Sequence, residues 1–418
     1  MSLADLVDEA FIRELVERGF SYKSISERLR VLFPESRGLS ARSVRRFCKD
    51  RNINVTSLRW ISDEHLEEMV STNILQYGHT YGRRMMQGTL RYQMQENLHC
   101  REISQRRISK MLKKVAPRAH RERAHDLLDR TNPVPYHAPY FGYKLHMDQN
   151  EKIAQEYGVT HVHALDGCSR MVLGFITIPK KNPVLIYQYL FRPLLLQYGL
   201  FDQLRVDHGT EFCLCIFVQE LLKNRRGNTS RAPWRQTTST KNYRAERLWP
   251  EENARVNYPL KRALNFIKEQ EIFNMEDPLV SFAVSWVTLH VSKVGSENFV
   301  NSWNYHRIPG PKGCIPIEKM TETNMAVQLE PHEIPTTAEV VQMYEERGGS
   351  LNRDPSIGCD PIACYDHLMA SREYLFMSQN PSFESMFSDV VHNKNEALVN
   401  AIKSFIDITN SLANQAIP

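Results

Sequence analysis

Residues 132–144, NPVPYHAPYFGYK, hold three prolines within eight positions and divide the chain into two grammars. Proline lacks a backbone N–H and has a fixed φ, so such a run suits neither a helix interior nor a central strand. Before it, apolar residues recur at helical spacing. After it, strand-like runs alternate with helical ones. The expected organisation is a helix-turn-helix region over 1–55, a second helix-turn-helix-like region over 60–131 and a Pro-rich linker over 132–143. An α/β core over 144–270, its extension over 271–325 and an acidic helical region over 326–418 follow.

In the first region Leu3, Leu6, Val7, Phe11, Leu15 and Val16 predict one helix, ended by Gly19. Ser21 can cap a second helix carrying Ile25, Leu29 and Leu32, and Ser40 a third. The third turns Val44 and Phe47 inward and Arg42, Arg45, Arg46 and Lys49 outward, which suits a recognition helix in a DNA groove. A small bundle with a solvated basic face is the plainer alternative. The pattern returns downstream. Asp63 to about Tyr77 and Thr80 to about Gln95 predict two helices, and Ser104 caps QRRISKMLKKV. Ile108, Met111, Leu112 and Val115 share one face of that helix, with Arg106, Arg107, Lys110, Lys113 and Lys114 on the other. It reads as a second DNA-binding helix or as a spacer.

The net charge of +5 hides an asymmetry. Residues 1–135 hold 25 basic and 17 acidic side chains, residues 136–270 hold 19 and 12, and residues 271–418 hold 9 and 19. The first two thirds therefore suit a polyanion such as double-stranded DNA, and the last third does not. The longest apolar run, Leu279 to Val291, is 13 residues and carries Ser, Thr and His, too short and too polar to span a bilayer, so no membrane is expected. The acidic N-terminus does not read as a signal peptide. Eight cysteines include no Cys-x-x-Cys pair, which disfavours a structural zinc site or a disulfide framework and fits a reducing compartment.

From residue 144, LHMDQNEKI, THVHALD and MVLGFITIP read as strands, PVLIYQYLFRPLLLQYG as a buried helix and QLRVDHG as a fourth strand. Helices from about Glu211 to Asn224 and around YRAERLW follow, giving a mixed sheet with helices on both faces. Asp148 lies in the first strand, Asp207 ends the fourth and Glu246 sits on the late helix. Hard divalent cations take oxygen ligands, and two such ions can stabilise the attacking and leaving oxygens of an in-line displacement at phosphorus. The short Asp tether suits a strand end and the longer Glu a flanking helix.

Four motifs appear in order. VDHGTEF resembles the Asp-Asn-Gly-x-x-Phe motif of the integrase catalytic core. NYRAERLW resembles its Asn/Gly-x-x-x-Glu-Arg-x-Asn helix, LDGCSRMVLGF its second and third strands, and FVNSWNYHRIPGPKGCIPIEKM its Tyr-Asn-x-x-Arg-Pro-His…Pro ending. The segment from about 135 to 320 is similar to retroviral-like integrases and cut-and-paste transposases, and most of all to the Ginger-type integrases of animal genomes. The resemblance implies a ribonuclease-H-like fold with a mixed five-stranded sheet, and Asp148, Asp207 and Glu246 as catalytic and metal-binding residues for two Mg²⁺ or Mn²⁺ ions. It implies hydrolysis at DNA 3′ ends followed by strand transfer, a homo-oligomer and the nucleus. His208 stands where the family has Asn, Trp249 where it often has Asn, and Pro250 follows closely enough to start or bend that helix.

Around this triad, Lys241, Arg244 and Arg247 are candidates for holding DNA phosphates. His208, Glu211 and Asn242 are expected to support the ligands, and His146 to be structural. Asp166 reads as a turn residue paired with Arg170, and Glu251 and Glu252 replace Glu246 only if the helix register is shifted. Trp303, Tyr305 and His306 read as packing residues. Two other functions remain: a transposase-derived DNA-binding protein without catalysis, and a ribonuclease-H-like nuclease that cuts without joining.

Overall fold

The computed structural model describes residues 3–17, 20–34, 36, 38–53, 61–94, 103–120, 136–237, 247–309, 313–351 and 357–416. They fall into two compact units, residues 1–73 with 82–125 and residues 74–81 with 126–418.

The first unit is helical. The predicted first helix is two, α1 (Leu3–Leu6) and α2 (Glu9–Glu17). Asp8 makes the break, since its carboxylate accepts from the Ala10 amide at 3.1 Å and caps the second piece. Ser21 and Ser40 cap α3 (Tyr22–Leu32) and α4 (Ala41–Asp50), accepting from the Ser24 and Ser43 amides. Ile12, Ile25, Leu29, Val44 and Phe47 pack into one core. Arg42, Arg45, Arg46 and Lys49 stay exposed along α4. Next come α5 (Asp63–Tyr77), α6 (Arg83–Gln93) and α7 (Gln105–Val115), the last capped by Ser104. The basic side of α7 meets α5: Arg107 and Lys110 both reach Asp63 at 2.8 Å, and Lys114 reaches Glu67 at 2.6 Å.

The second unit is built on β1 (Leu145–Asn150), β2 (Thr160–Asp166), β3 (Val172–Ile178), β4 (Leu204–Val206) and β5 (Trp234–Gln236). They form one sheet in the order β3-β2-β1-β4-β5. β1–β2 and β2–β3 are antiparallel, while β1–β4 and β4–β5 are parallel. A short α8 (Ala154–Tyr157) joins β1 to β2. One face of the sheet is apolar: Leu145, Met147, Leu204 and Val206 pack with Tyr187, Phe191, Leu194 and Leu195 and with Leu214 and Val218. Those partners come from α9 (Pro183–Ile186, a π-helical turn Tyr187–Phe191, then Arg192–Tyr198) and from α10 (Cys213–Leu221).

The other face is polar. Over β1–β3 it receives α11 (Trp249–Glu252, a π-helical turn Asn253–Asn257, then Tyr258–Glu269) and α12 (Pro278–Tyr305). α12 meets the strands with small polar residues: Ser292 and Ser296 reach the His161 ring, and the Asn304 amide pairs with both backbone groups of Val172. Asp277 caps α12 through the Leu279 and Val280 amides. Then follow α13 (Pro316–Thr323), α14 (Thr337–Glu346), α15 (Asp366–Gln379), α16 (Phe383–Val391) and α17 (Glu396–Ala416). Trp286 of α12 stacks on Phe405 of α17 at 4.5 Å between centroids and meets Phe376 of α15 edge-on. The stretch read as a linker joins the core at its C-terminal end. Phe141 is fully buried, its N–H bonds the Thr323 carbonyl and its carbonyl accepts from the Met325 N–H. Among the described residues no helix is long and apolar enough to cross a membrane. The second unit is a mixed five-stranded sheet with helices on both faces, flanked by helical regions, as in a ribonuclease-H-like integrase core.

Candidate active site

The parallel pairing of β1 with β4 sets His146 beside Arg205. Asp148 and Asp207 each stand two residues further along. Strand side chains alternate with period two, so the same register sets the two aspartates side by side. They share the polar face, opposite the apolar layer of Met147 and Val206. Asp148 is 4% exposed and Asp207 half-buried. Carboxylates at the ends of adjacent parallel strands are delivered to one edge by rigid elements.

Asp148 is fixed from two directions. Its Oδ1 accepts from the Gln149 amide at 2.9 Å, and its Oδ2 from the Trp249 indole N–H at 3.0 Å. Trp249 opens α11, with Pro250 in the first turn, where a missing N–H costs nothing. The indole in turn packs edge-on against His163, with centroids 4.8 Å apart. His163 is the β2 partner of Asp148. Trp249→Phe keeps the ring and removes the donor. It should lower the unfolding free energy by about 1.5–3 kcal/mol, the worth of a hydrogen bond to a charged group. Urea denaturation checks this, and an unchanged midpoint would show that the indole N–H holds nothing.

Asp207 sits in a turn of its own making, its Oδ1 accepting from the Gly209 amide at 3.1 Å. A Cβ at position 209 would lie 2.2 Å from both carboxylate oxygens of Glu211, so a larger residue there would push that side chain aside. Glu211 is 3% exposed and its Oε1 has no hydrogen-bond partner among the described residues. Burial pushes its carboxyl above the usual range, Lys181 opposes the shift, and Asp207 and Glu151 add to it. Lys181 pairs with Glu151 at 3.1 Å. Burial disfavours its charge, but Glu151, Glu211 and Asp207 together hold it above the ordinary lysine range.

A buried polar chain behind the aspartates had no signal in the sequence. Glu252, fully buried, accepts from Ser296 at 2.8 Å and lies 3.1 Å from His163 Nε2. Burial alone would raise its carboxyl; His163, His161 and Ser296 outweigh that and hold it below the usual range. Glu252 thus ties α11 and α12 to β2, while Asn253 ties α11 to β1 through the Asn150 amide at 2.7 Å. Glu251 points away, to Arg255 at 2.8 Å.

Asp166 is a structural turn residue. Its oxygens accept from the Gly142, Cys168 and Ser169 amides and the Ser169 hydroxyl. Burial raises its carboxyl to about 6 against those donors. Arg170 takes φ 62° in that turn, and its carbonyl accepts from the Trp303 indole. His306 is buried beside the Trp303 carbonyl, and Tyr305 is half-buried. His146 is buried against the Tyr136 hydroxyl at 2.7 Å. His208 and Arg247 are exposed. Lys241, Asn242, Arg244 and Glu246 lie outside the described residues.

The donor set at the strand ends suits a hard divalent cation. The carboxylate oxygens keep lone pairs beyond the bonds they accept, and Asp207 Oδ2 accepts none among the described residues. No group of three or more His, Cys, Asp or Glu that could hold a metal occurs among the described residues, which do not include Glu246.

No curated protein matches the chain. Residues 135–332, just under half of it, match the family model described as integrase core domain. Those residues include all five strands, both aspartates and α9 to α13, and their mixed five-stranded sheet with helices on both faces is consistent with the integrase core domain that they match.

Proposed function

We propose that the chain is a DNA transposase or integrase, a polynucleotidyl transferase that hydrolyses a phosphodiester at a DNA 3′ end and joins the freed hydroxyl to a target. The observation that carries this is the pair Asp148 and Asp207, set alongside each other by the β1–β4 register within the integrase-core segment. Glu246 completes the triad in this reading. It precedes Trp249, which donates to Asp148, by three residues in sequence.

Mg²⁺ or Mn²⁺ held by these carboxylates would supply charge stabilisation at the attacking and leaving oxygens. The chain's own part is placement. Asp148, fixed by Trp249 and the Gln149 amide, would hold the metal together with Asp207 and Glu246. Glu211 is buried beside the Asp207 turn. The exposed cations of α4 suit phosphate contacts with element ends; on α7 Arg106 and Lys113 are the candidates, because Arg107, Lys110 and Lys114 serve ion pairs to α5. By resemblance alone the reading extends to a Ginger-type element, a homo-oligomer that synapses two ends, and the nucleus.

The metal arm is tested without catalysis. Millimolar Mg²⁺ or Mn²⁺ should raise the melting temperature of the wild-type chain, and the rise should vanish in Asp148→Asn. An equal rise in both would remove Asp148 from the ligand set.

A further inference from the structure

The polar face of the sheet continues past the aspartates. Arg205 pairs in register with His146 on one side and Arg235 on the other. The row His146–Arg205–Arg235 lies one strand repeat, about 6.6 Å, behind Asp148 and Asp207 on the same face. Trp234 confirms the facing, since its indole donates to Glu220 on α10, beneath the apolar side, so Arg235 is turned to the polar one. Arg231 joins them. Its guanidinium lies 3.8 Å above the Tyr143 ring, donating to the Tyr143 carbonyl and to Gln203. Arg205 donates to the same Gln203 oxygen at 3.2 Å.

These partners are neutral, and no carboxylate pairs with the three arginines among the described residues. Arg235 is exposed, and Arg205 and Arg231 are half-buried. Burial pushes the Arg205 guanidinium below its usual range, and Arg235 and Arg231 push further. Gathering like charges on a half-buried surface costs free energy that an anion would return. Gln203 and Tyr143 hold two of the forks rigid, which lowers the entropy lost when a phosphate docks.

We propose that Arg205, Arg231 and Arg235 form a phosphate-binding subsite that grips the backbone of double-stranded DNA beside the phosphodiester presented to Asp148 and Asp207. The identity of the reacting phosphodiester rests on the function proposed above; the binding of duplex phosphate does not. The separation of the arginine row from the aspartates is roughly that of neighbouring phosphates along a strand. The site is sequence-independent, because forks aimed at phosphate oxygens read no base edges.

The test is binding of a fluorescent 30-base-pair duplex by the full chain in EDTA across a salt series, with Arg205→Gln, Arg235→Gln and Asp207→Asn. Each arginine variant should lower the slope of log affinity against log salt by about 1. That amounts to about tenfold weaker binding at 0.1 M salt. Asp207→Asn should leave the slope unchanged. Arg235 is exposed, so its variant should melt with the wild type and guards against a folding artefact. Unchanged slopes in both arginine variants would overturn the subsite even if the wild-type chain joins DNA. Reduced slopes with a wild-type chain that neither cuts nor joins would uphold the subsite and remove the catalytic reading. Absence of salt-dependent duplex binding by the wild type would overturn the proposal outright.

Discussion

An Asp207→Asn chain should bind duplex DNA as the wild type does and lose at least about a thousandfold in joining rate, the equivalent of about 4 kcal/mol of transition-state stabilisation. The substitution is nearly isosteric and keeps the oxygen that accepts from the Gly209 amide, so the turn survives. What it removes is the negative charge beside Asp148. A neutral amide is a poor ligand for a hard dication, and charge developing on the oxygens at phosphorus would lose its counter-charge. Half-buried Asp207 makes no side-chain hydrogen bond to another element among the described residues, so the loss should fall on rate and not on stability.

The largest effect on stability is expected at Glu252. Glu252→Ala should destabilise the second unit by about 2–5 kcal/mol, the cost of leaving the buried His163 and Ser296 groups without their partner. His163 and Ser296 would lose their partner in a site without water access, and the joint between α11, α12 and β2 would lose its centre. The effect has a defined pH dependence. The Glu252 carboxyl is held below its ordinary range, so its contribution is present above about pH 4.5 and is lost as pH falls through the lower folded value. Chemical denaturation at neutral pH and near pH 4 measures both. A loss under 1 kcal/mol at neutral pH, or one that grows towards acid, would contradict the role. Because His163 packs on the indole that holds Asp148, the same variant should also loosen the active site.

Much of this was legible from local pattern. The serine caps at 21, 40 and 104 stand one residue before α3, α4 and α7. Asp148 could be placed within the first strand and Asp207 at the end of the fourth from the strand-like runs around them. Other features are local but too short to read. β5 is three residues, follows Pro233 and has an arginine at its centre, so no periodicity announces it. Its strand character comes from pairing with β4 and from Trp234 reaching Glu220. The break at Asp8 depends on one side chain choosing a backbone amide over the helix. The basic face of α7 could be read, but its pairing with Asp63 and Glu67, 47 residues away for Lys110 and Lys114, could not.

The supports of the site were illegible for the same reason. Trp249 meets Asp148 across 101 residues and His163 meets Glu252 across 89. A buried contact of that span leaves no periodic trace. The departure from the family at Trp249 was visible only as an oddity, and its hydrogen bond to Asp148 supplies the physical reason for an indole there.

Strand transfer in vitro tests the central claim most directly. Full-length wild type, Asp207→Asn and Glu246→Gln are each incubated with labelled duplex ends, a plasmid target and Mn²⁺. Joined product from the wild type alone, with duplex binding intact in all three, is the expected result. Joined product from Asp207→Asn at the wild-type rate would contradict the account.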